Sequence, residues 1–214
     1  MVTVMNVWIG TDESGKGDYF GSLVIAGVMV DNTTAVKLKE LGVKDSKLLS
    51  DSRVKLLSES IRNLCHFSVV AIGPIKYNEL YSKLHNLNRI LAWGHARVIE
   101  NLLEETYCDT VITDKFGDKT YIEKALMSKG KQINLIQRPK AEDDIAVASA
   151  SVIARDKFLT ELRKLSTQIG MQLPKGAGYQ VEEMAIHLTK KLGYDILNKI
   201  AKVHFKTTQK LRIV

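Results

Sequence analysis

The 214-residue sequence predicts an α/β fold, a mixed central β-sheet flanked by helices with a helical C-terminal part. Three observations predict it. Short β-branched runs alternate with amphipathic helical stretches. Every strand-like run falls before residue 138, and only helical patterns follow. No repeat, linker or low-complexity stretch interrupts the chain. Residues 1–214 are therefore expected to form a single domain, helical and basic from about residue 166.

The elements follow in order. Residues 4–11 read as a strand and residues 20–30 as a second. The turn between them exceeds a two-residue hairpin, so an antiparallel pair is expected with its register open. Asp31, Asn32 and Thr33 can start a helix over 34–41 that Gly42 stops. Ser50 or Asp51 caps a helix over 52–65, with Leu56, Leu57, Ile61 and Leu64 on its apolar face. Residues 66–72 form a third strand, broken by Gly73-Pro74, and a helix follows over 75–84. The longest helix is expected from Asn86 to about Tyr107. It contains Trp93 and His95, read as a packing residue and as a histidine facing solvent or a core hydrogen bond. Residues 110–114 make a short strand ending in Asp114. A helix over 119–129, closed by Gly130, and a strand over 132–137 come next. The small-residue run Ile145-Ala146-Val147-Ala148-Ser149-Ala150-Ser151-Val152-Ile153-Ala154 marks a buried helix lying close to the sheet and continuing to about Leu165. After a loop at 173–178, helices are expected over 181–192 and 194–203.

Composition narrows the function classes. Hydrophobic residues make up 45% and charged residues 26%, which are ordinary globular values. No run approaches the roughly 18 apolar residues of a membrane span, and no secretory signal opens the chain. Cys65 and Cys108 lack the spacing of a zinc module or a disulfide framework and fit a reducing compartment. A cytoplasmic protein is expected. The net charge of +7 favours a polyanionic partner, and residues 186–214 hold +6 of it, in Lys190, Lys191, Lys199, Lys202, Lys206, Lys210 and Arg212 against Asp195. Such a region either holds phosphates or is a solvated helix face.

The chemistry centres on Gly10-Thr11-Asp12-Glu13-Ser14-Gly15-Lys16-Gly17-Asp18, where two carboxylates close a strand before a glycine-rich turn. Gly10-x4-Gly15-Lys16 matches the first seven positions of a phosphate-binding P-loop, but Gly17 stands where Ser or Thr would hold magnesium. The residues that follow favour a strand over the required helix. Two further acidic clusters share the strand-end setting. Asp114 ends its strand, and Glu142-Asp143-Asp144 opens the small-residue helix, where acids also suit the helix dipole. Carboxylates converging at one sheet edge need a cation, and hard oxygen ligands select Mg2+ or Mn2+. Two such ions can activate water and stabilise the leaving oxygen in phosphodiester hydrolysis. In a regular strand Asp12 and Glu13 point to opposite faces, so both reach one cluster only if the strand ends or twists there.

These residues resemble the type 2 ribonuclease H family, and more closely its ribonuclease HIII branch. The resemblance is carried by residues 10–21, Asp45-Ser46-Lys47, Asn86-Leu87-Asn88-Arg89-Ile90-Leu91-Ala92-Trp93-Gly94-His95-Ala96, Ala146 to Arg155, and His204-Phe205-Lys206-Thr207-Thr208. It covers essentially the whole chain. It implies an RNase H-like fold and Mg2+- or Mn2+-dependent endonucleolytic cleavage of RNA paired with DNA, leaving 5′-phosphate and 3′-hydroxyl ends. Asp12, Glu13 and Asp114 match the family's first three metal carboxylates. Lys140-Ala141-Glu142 best matches its Lys-Gly-Asp, one residue closer to the helix, which makes Glu142 the fourth, with Asp144 and then Asp143 as substitutes. Ser14, Gly15, Lys16 and Gly17 match the turn that binds substrate and senses the RNA 2′-hydroxyl. The signature begins at residue 10, so the N-terminal substrate-binding domain usual in ribonucleases HIII is expected to be missing. Poor cleavage at a single embedded ribonucleotide is also implied. No obligate protein partner is evident and a monomer is expected. The competing readings are a non-catalytic nucleic-acid-binding module and a P-loop-like nucleotide hydrolase.

Overall fold

The computed structural model describes residues 6–211. The chain divides into two units. One holds the residues up to Glu13, Ile25–Val70 and Asn88–Asp156; the other holds Ser14–Val24, Ala71–Leu87 and the chain from Lys157 onward.

The first unit is built on a five-stranded sheet in the order β3-β2-β1-β4-β5. The strands are β1 (Val7–Ser14), β2 (Leu23–Asp31), β3 (His66–Ile72), β4 (Thr110–Asp114) and β5 (Asn134–Arg138). β4 runs parallel to β1, pairing Thr11 with Thr113, and β5 runs parallel to β4, pairing Asp114 with Arg138. The acid-bearing ends of β1 and β4 therefore lie at one edge of the sheet. Of the expected first strand, residues 4 and 5 lie outside the described residues, and the strand continues beyond Thr11 to Ser14.

The helices of this unit start where their caps dictate. Asp31 accepts from the Thr34 N–H at 2.7 Å to begin α1 (Asn32–Glu40). Ser50 accepts from the Arg53 N–H at 3.3 Å to begin α2 (Asp51–Leu64). The longer helix α4 (Leu87–Glu105) follows α3 (Pro74–Leu84). Its Ala92, Ala96, Ile99, Leu102 and Leu103 pack on Ile9, Met29, Val111 and Leu135 of the sheet. The small-residue helix is α6 (Ile145–Ile169), which extends past the expected end. Its first turn lies so close to β1 that a Cβ on Gly10 would stand 2.2 Å from the backbone of Ala146 and Val147.

One helix is shorter than its pattern. The expected 119–129 helix is only α5 (Thr120–Ala125), and β5 starts later than the apolar run. Buried Glu100 explains it. Its carboxylate accepts from the N–H groups of Met127 at 2.5 Å and Gly130 at 2.9 Å, which draws this segment out of helical geometry.

The second unit carries α3, the later turns of α6, and α7 (Tyr179–Leu192), α8 (Ile196–Ile200) and α9 (Lys206–Leu211). The helix expected over 194–203 stops at Ile200 because the next residues pair outward. Ala201 forms an antiparallel bridge with Phe20. The Asn78 side chain donates to the Ala201 carbonyl at 2.9 Å and accepts from the Val203 N–H at 3.1 Å. Lys202 is fully buried.

Gly10→Ala should cost about 3 kcal/mol of folding stability in urea titrations, since backbone atoms cannot yield as a side chain can. Gly17 has nothing within 4 Å of a built Cβ, so Gly17→Ala should leave stability unchanged or raise it by up to about 1 kcal/mol. Burial pushes Lys202 from its ordinary 10.5 down to about 7, with the Asp18 charge opposing. From about pH 7 to 8.5 the unfolded chain holds this proton and the folded chain releases it. Stability should then rise with pH by up to about 1 kcal/mol per unit, and Lys202→Met should flatten that rise.

Candidate active site

Alternation along β1 sends its side chains to two helices. Thr11 and Glu13 face α4. The Thr11 hydroxyl lies 2.8 Å from His95 Nδ1, and His95 Nε2 lies 3.3 Å from a Glu13 carboxylate oxygen. The tautomer protonated on Nε2 satisfies both, donating to Glu13 and accepting from Thr11. The ring is fully buried and stacks on Phe116 with centroids 4.9 Å apart. His95 is thus the core-hydrogen-bond histidine, and its partner is a candidate metal carboxylate. Trp93 is partly exposed rather than packed away.

Gly10 and Asp12 face α6. Asp12 accepts from the Glu13 N–H at 2.8 Å, and the Ser151 hydroxyl of α6 favours its charged form. Burial pushes its carboxyl well above the ordinary range and the Glu13 charge adds to this, while the Glu13 N–H, the Lys47 charge and the Ser151 hydroxyl oppose. The strand does not end at Asp12, so Asp12 and Glu13 leave opposite faces of β1. They interact through charge across the strand.

Asp114 ends β4, and its carboxylate accepts from the Ala141 N–H at 3.3 Å. That bond ties the strand end to a short 3-10 helix, Ala141–Asp143. The three neighbouring acids have separate settings. Asp143 is exposed and ion-paired with Arg138, which holds its carboxyl below the usual range. Asp144 caps α6, accepting from Ala146 N–H at 2.9 Å and Val147 N–H at 3.2 Å, and also from Trp8 Nε1 at 3.2 Å. Glu142 carries neither arrangement.

Lys47 gathers the acids. Ser46 and Ser151 are both buried, with their hydroxyls 2.6 Å apart. Asp45 accepts from the Lys47 N–H at 3.1 Å and from the Ser151 hydroxyl at 3.4 Å. Partial burial works against the Lys47 charge, but the carboxylates of Asp45, Asp12, Glu142 and Asp114 outweigh it and raise its pKa. The charges of Asp12, Asp114 and Glu142 therefore all favour one ammonium.

These donors are hard carboxylate oxygens, and Asp12 is destabilised as an anion where it stands, which is the chemistry that a divalent cation would relieve. Among the described residues, no three His, Cys, Asp or Glu side chains already converge tightly enough to hold an ion. Nothing local in the sequence places Lys47, Ser46, Ser151 or His95 beside the acids. Asp45-Ser46-Lys47 was visible as a motif, but its approach to α6 was not.

In the glycine-rich turn, Gly15 is buried with φ +83°, and a Cβ there would stand 2.2 Å from the Ser22 carbonyl. Gly17 is exposed. The chain after Lys16 leads to β2 and opens no helix, so the P-loop reading lacks its phosphate-binding helix terminus.

The ribonuclease HII family model matches residues 9–208. Ribonuclease HIII of Protochlamydia amoebophila (strain UWE25) is 48% identical over 199 residues, covering 93% of this chain and 66% of its own length. Ribonuclease HIII of Chlamydia pneumoniae is 48% identical over 202 residues, covering 93% and 68%. The chain spans about two thirds of the length of these relatives. The crystal structure of Bst-RNase HIII in complex with Mn2+ matches with a TM-score of 0.90 at 34% identity, over 97% of this chain and 70% of that one. The expected RNase H-like fold is the one observed. With fold, motif order and family model in agreement, the chain belongs to the ribonuclease HII family, the type 2 ribonucleases H, and within it is similar to the ribonucleases HIII.

Proposed function

We propose that this chain is an endoribonuclease that hydrolyses the RNA strand of RNA–DNA hybrids with Mg2+ or Mn2+, leaving 5′-phosphate and 3′-hydroxyl ends. One observation carries the reading. In a member of the ribonuclease HII family, the charges of Asp12, Asp114 and Glu142 act together on the Lys47 ammonium near the edge where parallel β1 and β4 end. A ribonuclease HIII of the same fold, crystallised with Mn2+, supports a divalent ion here.

Asp12, Asp114 and Glu142 would hold the ions, and Glu13, on the other face of β1, would reach them only where the strand gives way to the turn after Ser14. Bound there, two divalent ions would supply Lewis acidity at the scissile phosphate and a water of lowered pKa. The chain's own residues prepare the site. His95 fixes the Glu13 carboxylate, and the Glu13 N–H fixes that of Asp12. Lys47 keeps a positive charge among the acids, suited to a phosphate oxygen.

Ser14, Gly15, Lys16 and Gly17 would bind the hybrid. The open surface at Gly17 supports close approach by a nucleic-acid backbone, and the 2′-hydroxyl distinguishes RNA from DNA without base reading. Lys190, Lys191, Lys199 and Lys206 are exposed and suited to phosphates. Lys202 is buried, Lys210 pairs with Glu182, and Arg212 lies outside the described residues. The effective basic surface is thus smaller than the sequence total. We also propose one catalytic domain, because the two units alternate along the chain in six segments. A monomer in a reducing, cytoplasmic setting fits the two free cysteines. No described helix is long and apolar enough to cross a membrane.

The test is cleavage of an end-labelled RNA–DNA hybrid in Mg2+ and in Mn2+, beside a duplex carrying one ribonucleotide. The continuous hybrid should be cut and the single ribonucleotide cut poorly. An intact RNA strand in both metals would identify a binding module instead. Asp12→Asn should lower kcat on the order of a thousandfold while hybrid affinity stays within about threefold.

The fourth carboxylate has its own test. Glu142→Gln should lose at least about a hundredfold in kcat. Asp143→Asn should keep near-normal activity. Asp144→Asn should chiefly cost stability, about 1 kcal/mol from the weakened helix cap. A normal rate for Glu142→Gln would move the assignment to Asp144.

A further inference from the structure

A fully buried lysine is costly unless acceptors meet its ammonium. Lys202 is 0% exposed. Its Nζ donates to the Gly21 carbonyl at 2.7 Å and lies 5.8 Å from the centre of the Tyr77 ring. Its backbone N–H donates to the Tyr19 carbonyl at 2.8 Å. One residue thus holds the segment after the glycine-rich turn at two carbonyls.

The rest of that segment is tied in the same way. The Gly21 N–H donates to the Ile200 carbonyl at 2.9 Å, and Phe20 bridges Ala201. The Tyr19 N–H donates to the Gly176 carbonyl at 2.8 Å, and the Gly176 N–H donates to Asp18 at 2.6 Å. The Tyr19 hydroxyl lies 2.9 Å from that of Thr208. Most of these bonds join backbone to backbone and survive side-chain changes. The Lys202 Nζ is different, because it fixes the carbonyl of a glycine at φ +85°, where the backbone is permissive. Without it the buried Gly21 carbonyl loses its donor, and the turn gains freedom to reorient.

We infer that Lys202 is a positioning residue for substrate binding, holding Ser14, Gly15, Lys16 and Gly17 in the arrangement that receives an RNA–DNA hybrid. The inference rests on the reading above that this turn binds the hybrid. Lys202 has no part in the chemical step, since the carboxylates lie on other elements. Its loss adds an ordering cost on binding and leaves turnover alone. Burial lowers the Lys202 pKa to about 7, and its Nζ carries N–H donors for the Gly21 carbonyl in either protonation state.

The test compares wild type and Lys202→Met in steady-state cleavage of a labelled hybrid, with circular dichroism and thermal melts to verify folding. KM should rise at least about fivefold with kcat within about twofold. In an Asp12→Asn background, Lys202→Met should weaken hybrid binding by the same factor. A folded variant with unchanged KM and Kd, or with kcat lowered at constant KM, would overturn the inference. If Lys202→Met does not fold, Lys202→Gln keeps a polar side chain but is too short to reproduce the Nζ bond to the Gly21 carbonyl. It should raise KM at least about twofold at constant kcat, and no rise would overturn the inference. Wild-type protein that leaves the hybrid intact would defeat the functional reading itself. Wild-type cleavage with an unmoved KM in the variants would defeat this inference alone.

Discussion

The contact of β1 with the first turn of α6 sets everything else in the site. Gly10 has no Cβ, and none would fit, because Ala146 backbone would lie 2.2 Å away. Strand and helix then advance almost in step. Two residues of strand rise about 6.7 Å, and four residues of helix rise about 6.0 Å. Gly10 meets the Ala146–Val147 peptide, so Asp12 comes near Ser151, four residues beyond Val147. One strand repeat the other way, Trp8 meets Asp144 at the start of the helix. A bulkier residue at position 10 would lift the helix and separate all of these pairs at once. The small residues of α6 are therefore the condition for the acidic site as well as for the packing.

That geometry assigns each acid a different neighbour. Asp12 is pushed up by burial and by Glu13, Glu13 is held by a histidine, Asp114 is tied to the Ala141 backbone, and Glu142 answers to Lys47. Two lysines show how setting decides what one residue type does. Lys47 is exposed and surrounded by carboxylates, which favour its charge. Lys202 is buried beside a carbonyl and a ring, which lets burial prevail. The first is suited to answer a mobile negative charge, and the second to hold backbone in place.

Most of the fold was legible because its signals are local. β-branched runs, caps at Asp31 and Ser50, and the small-residue run of α6 each declare themselves within a few residues. The failures were tertiary. The helix over 119–129 broke because Glu100, some 27 residues earlier, captured the N–H of Met127 and that of Gly130 just beyond. The helix over 194–203 broke because Ala201 found Phe20. In the site, strand-end acids were visible as a class. The settings of Glu142, Asp143 and Asp144 depended on Arg138, Trp8 and the cap of α6. His95 could be placed on a helix, but its partners Thr11 and Glu13 lie more than 80 residues away. Lys202 counted as surface charge in the sequence, and only the extended chain after Ile200 buries it.

The turn at the head of β1 separates two reasons for a glycine. Gly15 adopts φ +83° with a carbonyl and the Phe158 ring where a side chain would go, so the fold itself demands it. Gly17 has neither constraint. Its φ lies outside the left-handed region and its surroundings are open. On stability alone an exposed, unstrained glycine is a poor choice, since it leaves the unfolded chain more freedom than alanine by about 0.4–1 kcal/mol. What distinguishes it from alanine at such a position is the absence of a methyl group between backbone and solvent. That absence has value only when something outside the chain approaches the backbone. The residue that denies the turn a magnesium-binding hydroxyl, and with it the P-loop reading, is the one that the proposed function sets against a nucleic-acid backbone.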